Sequence, residues 1–386
     1  MKKQLTRIAS WMLLATMGQA GAFAQNIRID MNQTYPEKTI NLQKVADVKY
    51  IPLETTDEVL FNGIVTNLSA EGIAGFNKKE GDILVFDGTG KAIASFNHTG
   101  QGPNEYNKIY HLDVDWKQKE VYVQDNFRQK IRIYGLDGRH LRIIDLQETM
   151  QQGDLYSFSD TRLIYYAQPK SKPVTAYEPV TLLSKKDASK VTLPFTKTDD
   201  NLVKATGGPF GDMKMSAKNV NLLCKKGDEV YVNEVTADVI YRVESNHALT
   251  PVVERTPSYQ DASGQDFFLM LTGANARYYF FKRQQALLEF QGNAATDTKS
   301  TYVAYDRKEK QLLNPTFTNE DYPSQDIPMS KLLQCAGSAN RCYLQLEAFK
   351  LKEALAEGKL KGTLKSIAEK LDEEDNPVLM VVEFKK

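Results

Sequence analysis

The side chains best suited to holding a ligand are acids, amides, arginines and a tyrosine near the ends of three apolar segments. The set is Asp125, Asn126, Arg128, Asn233, Glu234, Arg277, Tyr278 and Arg283. Such groups donate and accept the hydrogen bonds that a hydroxylated ligand offers. If the segments are inner strands of one ring, their ends meet at one face, and we predict that these residues form a binding site there.

Metal chemistry has little support in the sequence. The four histidines are His98, His111, His140 and His247. They form no His-x-His or His-Glu-x-x-His arrangement of the kind that marks a histidine-built metal site. Asp113 and Asp115 alternate along one segment without the glycine and later glutamate of an EF-hand loop. We predict no metal and no cofactor, and interpret the two aspartates as carboxylates near a turn.

Catalysis is equally undefined by local motifs. The chain has no Gly-x-Ser-x-Gly elbow for a nucleophilic serine. An acid and a base from different repeats, such as Asp125 and Glu234, could still face each other across an axial pocket. No catalytic residue is predicted, and an enzyme with such a pocket stays open as the alternative.

The N-terminus has the features of a cleavable signal peptide. Lys2, Lys3 and Arg7 precede a mainly apolar stretch, and residues 22–24 supply the small residues of a cleavage site. This predicts a signal peptide over residues 1–24 and a mature chain over 25–386. Neither a lipid-acceptor cysteine near the cleavage point nor a later membrane-spanning segment is found. We therefore expect a soluble periplasmic or secreted protein.

The charges exclude two classes of partner. The chain has 49 basic and 49 acidic side chains, and removing the three basic residues of the signal leaves a net charge of −3. Basic residues are interspersed with acidic ones, and the pairs at 185–186 and 225–226 are interpreted as solvated turns. Binding to nucleic acid or to an anionic membrane surface is therefore not expected.

The three cysteines allow one disulfide in an oxidising compartment. Cys335 and Cys342 are the favoured pair because the loop between them is rich in residues that turn easily, whereas Cys224 lies in an apolar run and is expected to be buried. Three free thiols remain the alternative.

A repeated hairpin indicates the fold. Ile83 to Lys91 aligns with Ile131 to Arg139, 48 residues later, and each segment turns at a glycine that is expected to be left-handed, Gly90 or Gly138. The sequence Glu-Val-Tyr-Val also occurs twice, at 120–123 and 229–232. Repeats of about 40 to 60 residues are typical of propeller blades. The chain length then allows about six to eight blades, and the longer blades after the first two favour six.

The predicted architecture is all-β, a single six-bladed β-propeller domain over 25–386. The fifth blade is assigned segments 277–281, 286–290 and 301–305, and residues 48–51 are expected to pair with the continuously apolar segment 378–382 to close the ring. Helical spacing predicts an insert at about 347–372 in the last blade. We favour packing of this insert on the propeller rim over a role as partner-docking helix or lid.

Three segments resemble the exported six-bladed β-propeller proteins of Gram-negative bacteria, relatives of the NHL-repeat and TolB-like propellers. They are Val48-Lys49-Tyr50-Ile51-Pro52-Leu53-Glu54-Thr55, Gly100-Gln101-Gly102-Pro103-Asn104-Glu105-Tyr106 and Asn376-Pro377-Val378-Leu379-Met380. Family members usually have a second glycine where Asn104 stands. We interpret the glycine-rich loop as a structural connection between blades in which Glu105 accepts backbone N–H bonds and Tyr106 packs.

The resemblance implies the fold and export but no activity, because most of the family is uncharacterised and its relatives include lactonases, lyases and interaction platforms. The first hypothesis is a binding or scaffolding module for a glycan, a peptide or an envelope protein. The alternative is a periplasmic hydrolase or lyase acting on a saccharide or lactone. A weaker third is an assembly factor similar to TolB.

Overall fold

The structure is a computed structural model. It describes residues 26–125, 130–146, 150–151, 155–166, 168–169, 178–195, 202–206, 213–216, 223–226, 229–259, 261, 267–291, 294–295, 299–332 and 341–385. Three strands and a short helix come first: β1 (Ile27–Asp30), β2 (Glu37–Asn41), α1 (Leu42–Val45) and β3 (Ala46–Pro52).

The first three blades are four-stranded antiparallel sheets. Blade 1 contains β4 (Ile64–Leu68), β5 (Gly72–Phe76), β6 (Ile83–Asp87) and β7 (Ala92–Phe96), and blade 2 contains β8 (Ile109–Asp115), β9 (Glu120–Asp125), β10 (Lys130–Gly135) and β11 (His140–Asp145). After β12 (Met150–Gln151), blade 3 contains β13 (Leu155–Ser157), β14 (Arg162–Tyr166), β16 (Val180–Ser184) and β17 (Lys190–Thr192). The intervening β15 (Gln168–Pro169) pairs with β12.

Blades 4 and 5 follow β18 (Leu202–Thr206) and β19 (Met213–Ser216). Blade 4 contains β20 (Leu223–Lys226), β21 (Glu229–Val232), β22 (Val239–Val243) and β23 (Leu249–Thr256). Blade 5 contains β24 (Phe267–Ala274), β25 (Tyr278–Gln285), β28 (Ser300–Asp306) and β29 (Gln311–Thr318), with β26 (Leu287–Gln291) and β27 (Ala294–Ala295) between its second and third strands. Strands β19, β18, β26 and β27 form a separate four-stranded sheet, which we call the satellite sheet.

The last part of the chain adds β30 (Ile327–Pro328), α2 (Met329–Leu332), β31 (Arg341–Leu346), α3 (Ala348–Ala356), α4 (Gly362–Ala368) and β32 (Val378–Phe384). Strands β31, β32 and the N-terminal β3 form blade 6, with Val48 opposite Val382. The predicted closure of the ring is therefore confirmed. Val378 to Val382 are all buried, as expected for a strand with a neighbouring layer on both faces.

The N-terminal segment does more than close the ring. Strand β1 adds in parallel to the outer strand of blade 4, and β2 adds in parallel to the outer strand of blade 5. Ile29 of β1 is fully buried in the core cluster shared by these two blades. The segment thus runs along the rim past blades 4 and 5 before it enters blade 6.

The repeated hairpin is confirmed. Gly90 and Gly138 have φ of +91° and +81°, values that suit a residue without Cβ. One strand assignment was wrong: residues 286–290 were assigned to blade 5, but β26 pairs with β18 in the satellite sheet, and β24 supplies the innermost strand of the blade. An apolar strand of a blade and an apolar strand of another sheet look alike in sequence. Only the long-range pairing, which the sequence does not show, decides to which sheet the segment belongs.

The two faces of the ring differ in their connections. We call upper the face where the second strand of a blade leads to the third and where one blade leads to the next. All the described additions lie at the upper face. The β12–β15 pair, the satellite sheet, β30 and α2 lie in upper connections. The helices α3 and α4 also lie at this face, because β31 begins beside the lower turn of blade 5, where Cys342 lies 3.9 Å from the Asn275 side chain, and runs from there up to the helices. The described lower-face connections from blade 1 to blade 5 are turns of three to five residues.

Helices α3 and α4 pack on blade 6. Leu351, Leu364 and Ala368 are buried with Val378, and Tyr50 of β3 packs against them. The predicted packing of the helical insert on the propeller is therefore confirmed. In the described part of the chain, no helix has the length and apolarity that crossing a membrane requires.

Candidate functional site

The predicted binding residues do not share one face. Asp125, Asn233, Glu234 and Arg283 lie at the upper ends of second strands or just beyond them, whereas Tyr278 begins β25 at the lower face. An eight-residue strand spans about 23 Å, so Tyr278 and the preceding Arg277 are separated from Arg283 by the depth of the blade. Asn126 and Arg128 lie outside the described residues.

Asp125 is part of the interior of blade 2. It forms an ion pair with Arg132 on the neighbouring strand at 3.1 Å, and both side chains are at most 1% exposed. The Asp125 carboxylate also accepts a hydrogen bond from the backbone N–H of Asn107, at 2.9 Å. These contacts connect β9 to β10 and to the segment that enters the blade, which is a structural role.

Asn233 and Glu234 connect neighbouring blades. The Asn233 side chain accepts a 3.0 Å hydrogen bond from the backbone N–H of Leu271 in blade 5. Glu234 accepts one of 3.0 Å from the Tyr166 hydroxyl of blade 3. Both side chains are buried, and each connects blade 4 to a neighbouring blade, while the other Glu234 oxygen accepts a hydrogen bond from the Thr236 hydroxyl.

Arg283 holds the N-terminal segment. Its guanidinium donates to the carbonyl oxygens of Met31 at 3.2 Å and Gln33 at 2.6 Å, and it lies over the Tyr35 ring. On the lower face, Arg277 forms an ion pair with Asp306 at 2.8 Å. Each arginine therefore has a structural partner within the chain.

The polar cluster nearest the axis was missed by the sequence analysis. Asp113 of β8 accepts hydrogen bonds from Asn67 of β4 at 2.9 Å and from the backbone N–H of Ser157 of β13 at 2.6 Å. It also forms an ion pair with Lys225 of β20 at 3.1 Å. The first strands of four blades thus meet at one carboxylate. We call these four residues together with His111 the axial cluster.

His111 is the least satisfied member of the axial cluster. Its ring packs edge-to-face against Tyr156, with the centroids 4.8 Å apart, and its buried Nε2 has no hydrogen-bond partner among the described residues. Burial lowers the pKa of His111 to about 4, and Lys225 lowers it further while Asp113 acts in the opposite direction. The imidazole is therefore neutral at pH 7.

A second ion pair lies below the axial cluster. Lys185 donates to Asp115 at 2.6 Å and to the Ser157 hydroxyl at 2.9 Å. Burial raises the pKa of Asp115, but the hydrogen bond and charge of Lys185 outweigh burial, so the pKa is lowered overall. Asp113 and Asp115 thus bind lysines, and no group of three or more metal-binding side chains occurs among the described residues.

The interpretation of the lysine pairs was wrong for three of the four residues. Residues 185–186 lie in a turn and Lys186 is exposed, but Lys185 is buried. Lys225 and Lys226 lie on the inner strand β20 rather than in a solvated turn. The available signal was the alternation of His111, Asp113 and Asp115 along one apolar segment, which placed three ionisable groups on an inner strand. Carboxylates on an inner strand need cationic partners, and the two lysine pairs were the candidates in the sequence.

The glycine-rich loop has the predicted structural role. Glu105 accepts a 2.6 Å hydrogen bond from the backbone N–H of Gly102, and a Cβ on Gly100 would lie 2.0 Å from the Glu105 carboxylate. Tyr106 is fully buried and donates to the carbonyl of Gly81 at 2.8 Å. The loop therefore fixes the passage from blade 1 to blade 2.

The cysteine pairing stays a prediction, since Cys335 lies outside the described residues. Cys342 is buried on β31, 3.9 Å from the Asn275 side-chain nitrogen, and Cys224 is buried as expected.

Strand order, ring closure and inner-strand contacts define a six-bladed β-propeller whose axis is crossed by paired charges. The model of a domain of unknown function, DUF4934, matches residues 26–383, and the chain belongs to that family. The expected membership in an uncharacterised family of such propellers is confirmed.

Solved structures agree on the fold. The "Putative exported protein" of Bacteroides fragilis NCTC 9343 has a TM-score of 0.61 and 16% identity, over 93% of this chain and 99% of that one. A DUF4221 family member from Bacteroides vulgatus ATCC 8482 has a TM-score of 0.50 and 9% identity, over 89% and 98%. Comparison with curated proteins finds no match. At these identities the similarity establishes the fold alone.

Proposed function

We propose that this protein is an exported binding or scaffolding module of the cell envelope that holds a glycan, a peptide or an envelope protein on its upper face. One observation carries the proposal: all the described additions to the blades lie at the upper face, while the described lower turns have three to five residues. Long connections held by a rigid scaffold are where binding surfaces concentrate.

The axial cluster supports a scaffold role. Asp113 and Asp115 are bound by lysines from other blades, so their charge stabilises contacts across the ring. A carboxylate held by a nearby ammonium group is a weak base and nucleophile, because protonation or attack would leave the ammonium unpaired.

The experiment uses two exposed lysines of blade 5 on opposite faces. Lys299 precedes β28 at the upper face, beside the satellite sheet, and Lys308 lies in the lower turn before β29. A photo-crosslinking amino acid at either position, in the protein expressed in its own cell envelope, reports what contacts that face. We expect adducts from Lys299 and none from Lys308. Equal labelling, or adducts only at Lys308, would refute the assignment of the upper face.

A hydrolase or lyase acting on a saccharide or lactone is the second candidate, and His111 favours it. A neutral imidazole whose Nε2 has no partner among the described residues can act as a general base, although the pKa of about 4 makes it a weak one. Turnover of lactone or saccharide substrates by the wild type, lost in His111→Gln with folding intact, would support the enzyme over the scaffold.

A further inference from the structure

The outer edges of blades 1 and 2 differ from those of blades 4 and 5. Strands β1 and β2 cover the outer strands of blades 4 and 5 by parallel pairing. In the described part of the chain, β7 and β11 pair only with the strands inside them. A strand edge that no further strand covers can accept one through its backbone N–H and C=O groups. At the start of β7 the Ala92 N–H already donates to the Glu54 side chain at 2.7 Å.

Both uncovered edges present an apolar side chain at the same place. Opposite Val85 and Phe86, β7 has the extra residue Ile93; opposite Ile133 and Tyr134, β11 has the extra residue Leu141. Ile93 is 49% exposed and Leu141 is 38% exposed. Large apolar residues at matched bulges of neighbouring blades suit a contact better than solvent.

Blade 4 shows what covers such an edge. Its outer strand has the same bulge: opposite Ile240 and Tyr241, β23 has the extra residue Val252. There Val252 packs against the core cluster that contains Ile27 and Ile29 of β1. Leu141 is the counterpart of Val252 on an edge without a covering strand.

The covering segment defines the chemistry of the occupant. In β1, buried Ile27 and Ile29 alternate with Arg28 and Asp30, and Arg28 forms an exposed ion pair with Glu254 of the outer strand. Six residues then lead to β2 on the next blade. A segment that covers two neighbouring blades therefore consists of two short alternating strands joined by a link of this length.

We propose that β7 and β11 dock an extended segment of a partner protein, which adds to each as a parallel strand in the way that β1 and β2 add to blades 4 and 5. This open edge, defined by Ile93 and Leu141, is an interaction surface on the rim. It is separate from the upper face, and its existence does not depend on what the upper face binds.

A partner segment fits better than a second copy of the ring. Two copies related by a twofold axis would place β11 against β11 in antiparallel orientation, whereas both additions within the chain are parallel. Parallel addition joins two different surfaces, as in recognition of a peptide by strand addition.

The test uses a labelled peptide with the sequence of residues 26–41 as the strand probe and the mature full-length protein as receptor. Fluorescence anisotropy measures affinity, and hydrogen exchange locates the protected amides. We expect protection in β7 and β11 and, for the double variant Ile93→Lys/Leu141→Lys, at least about tenfold weaker binding, because lysine on an edge opposes strand addition and the apolar contact is lost.

The matched control is Leu60→Lys, which replaces another exposed apolar residue in the upper connection before blade 1 and should bind the peptide like the wild type. Three results would overturn the proposal: no binding at the highest soluble peptide concentration, equal binding by the double variant, or protection confined to blades 4 and 5. A concentration-dependent dimer that the double variant abolishes would instead assign the edge to a second copy.

Discussion

Lys225 and Asp113 form an ion pair at 3.1 Å although they lie 112 residues apart in the chain and on blades that are not neighbours. The pair crosses the inner strand of blade 3, whose Ser157 N–H binds the same carboxylate. Blades 2, 3 and 4 are therefore connected at the axis by charge as well as by apolar packing between their faces.

Removing one partner of this pair should cost stability. We expect Lys225→Met to lower the free energy of unfolding by about 3–5 kcal/mol, because the Asp113 carboxylate stays buried without its cation. Chemical denaturation measures the change. Lys117→Met, which breaks the exposed pair with Asp160, should cost less than about 1 kcal/mol. Equal losses of unfolding free energy for the two substitutions would show that the axial ion pair contributes no more to stability than an exposed one.

The axial histidine should make the fold sensitive to acid. In the unfolded chain His111 takes up a proton as the pH falls through about 6.5, but in the folded protein only near its pKa of about 4. Between these values protons favour the unfolded state, so stability falls as the pH is lowered, by up to about 3 kcal/mol from this group.

The measurement compares wild type with His111→Phe, which keeps a ring against Tyr156 and leaves Asp113 and Lys225 in place. Unfolding free energies measured from pH 7 to pH 4 should fall less steeply in the variant. Parallel curves would contradict the assigned pKa.

Arg283 should control how firmly the N-terminal segment is held. In Arg283→Met the carbonyls of Met31 and Gln33 lose their donor, so we expect a loss of about 1–3 kcal/mol. Hydrogen exchange should rise first in β1 and β2. Arg28→Ala, which removes only the exposed ion pair with Glu254, should leave exchange there nearly unchanged. Uniform acceleration over all blades would argue against a local role for Arg283.

Most of what the sequence predicted is local; the exception is the pairing of β3 with β32, which a closed ring requires. Gly90 and Gly138 mark turns because a left-handed residue within a tight hairpin has a short-range signature. The grouping of Arg277 with Arg283 failed because a strand carries its two ends to opposite faces. The sequence did not predict the pairing of Lys225 with Asp113, since it depends on which positions of inner strands from non-neighbouring blades face each other at the axis.

The closure of the ring offers the last prediction, at Asn376 in front of β32. Its side chain accepts from the backbone N–H of Phe61 at 2.7 Å and donates to the carbonyls of Glu54 at 2.7 Å and Val59 at 2.8 Å. One buried amide thus connects the end of the chain to the segment that leads from blade 6 into blade 1. Three backbone groups lose their partner together in Asn376→Ala.

We expect Asn376→Ala to lower the free energy of unfolding by about 2–4 kcal/mol, because buried backbone groups left without partners are costly. Asn246→Ala is the matched control: that amide accepts one hydrogen bond, from Ala248 N–H, in an exposed turn, and its loss should cost under about 1 kcal/mol. Deleting residues 376–386 should abolish cooperative unfolding altogether, since β32 pairs with both β31 and β3. A deletion variant that still unfolded in one sharp transition would mean that blades 1 to 5 hold the ring without this strand.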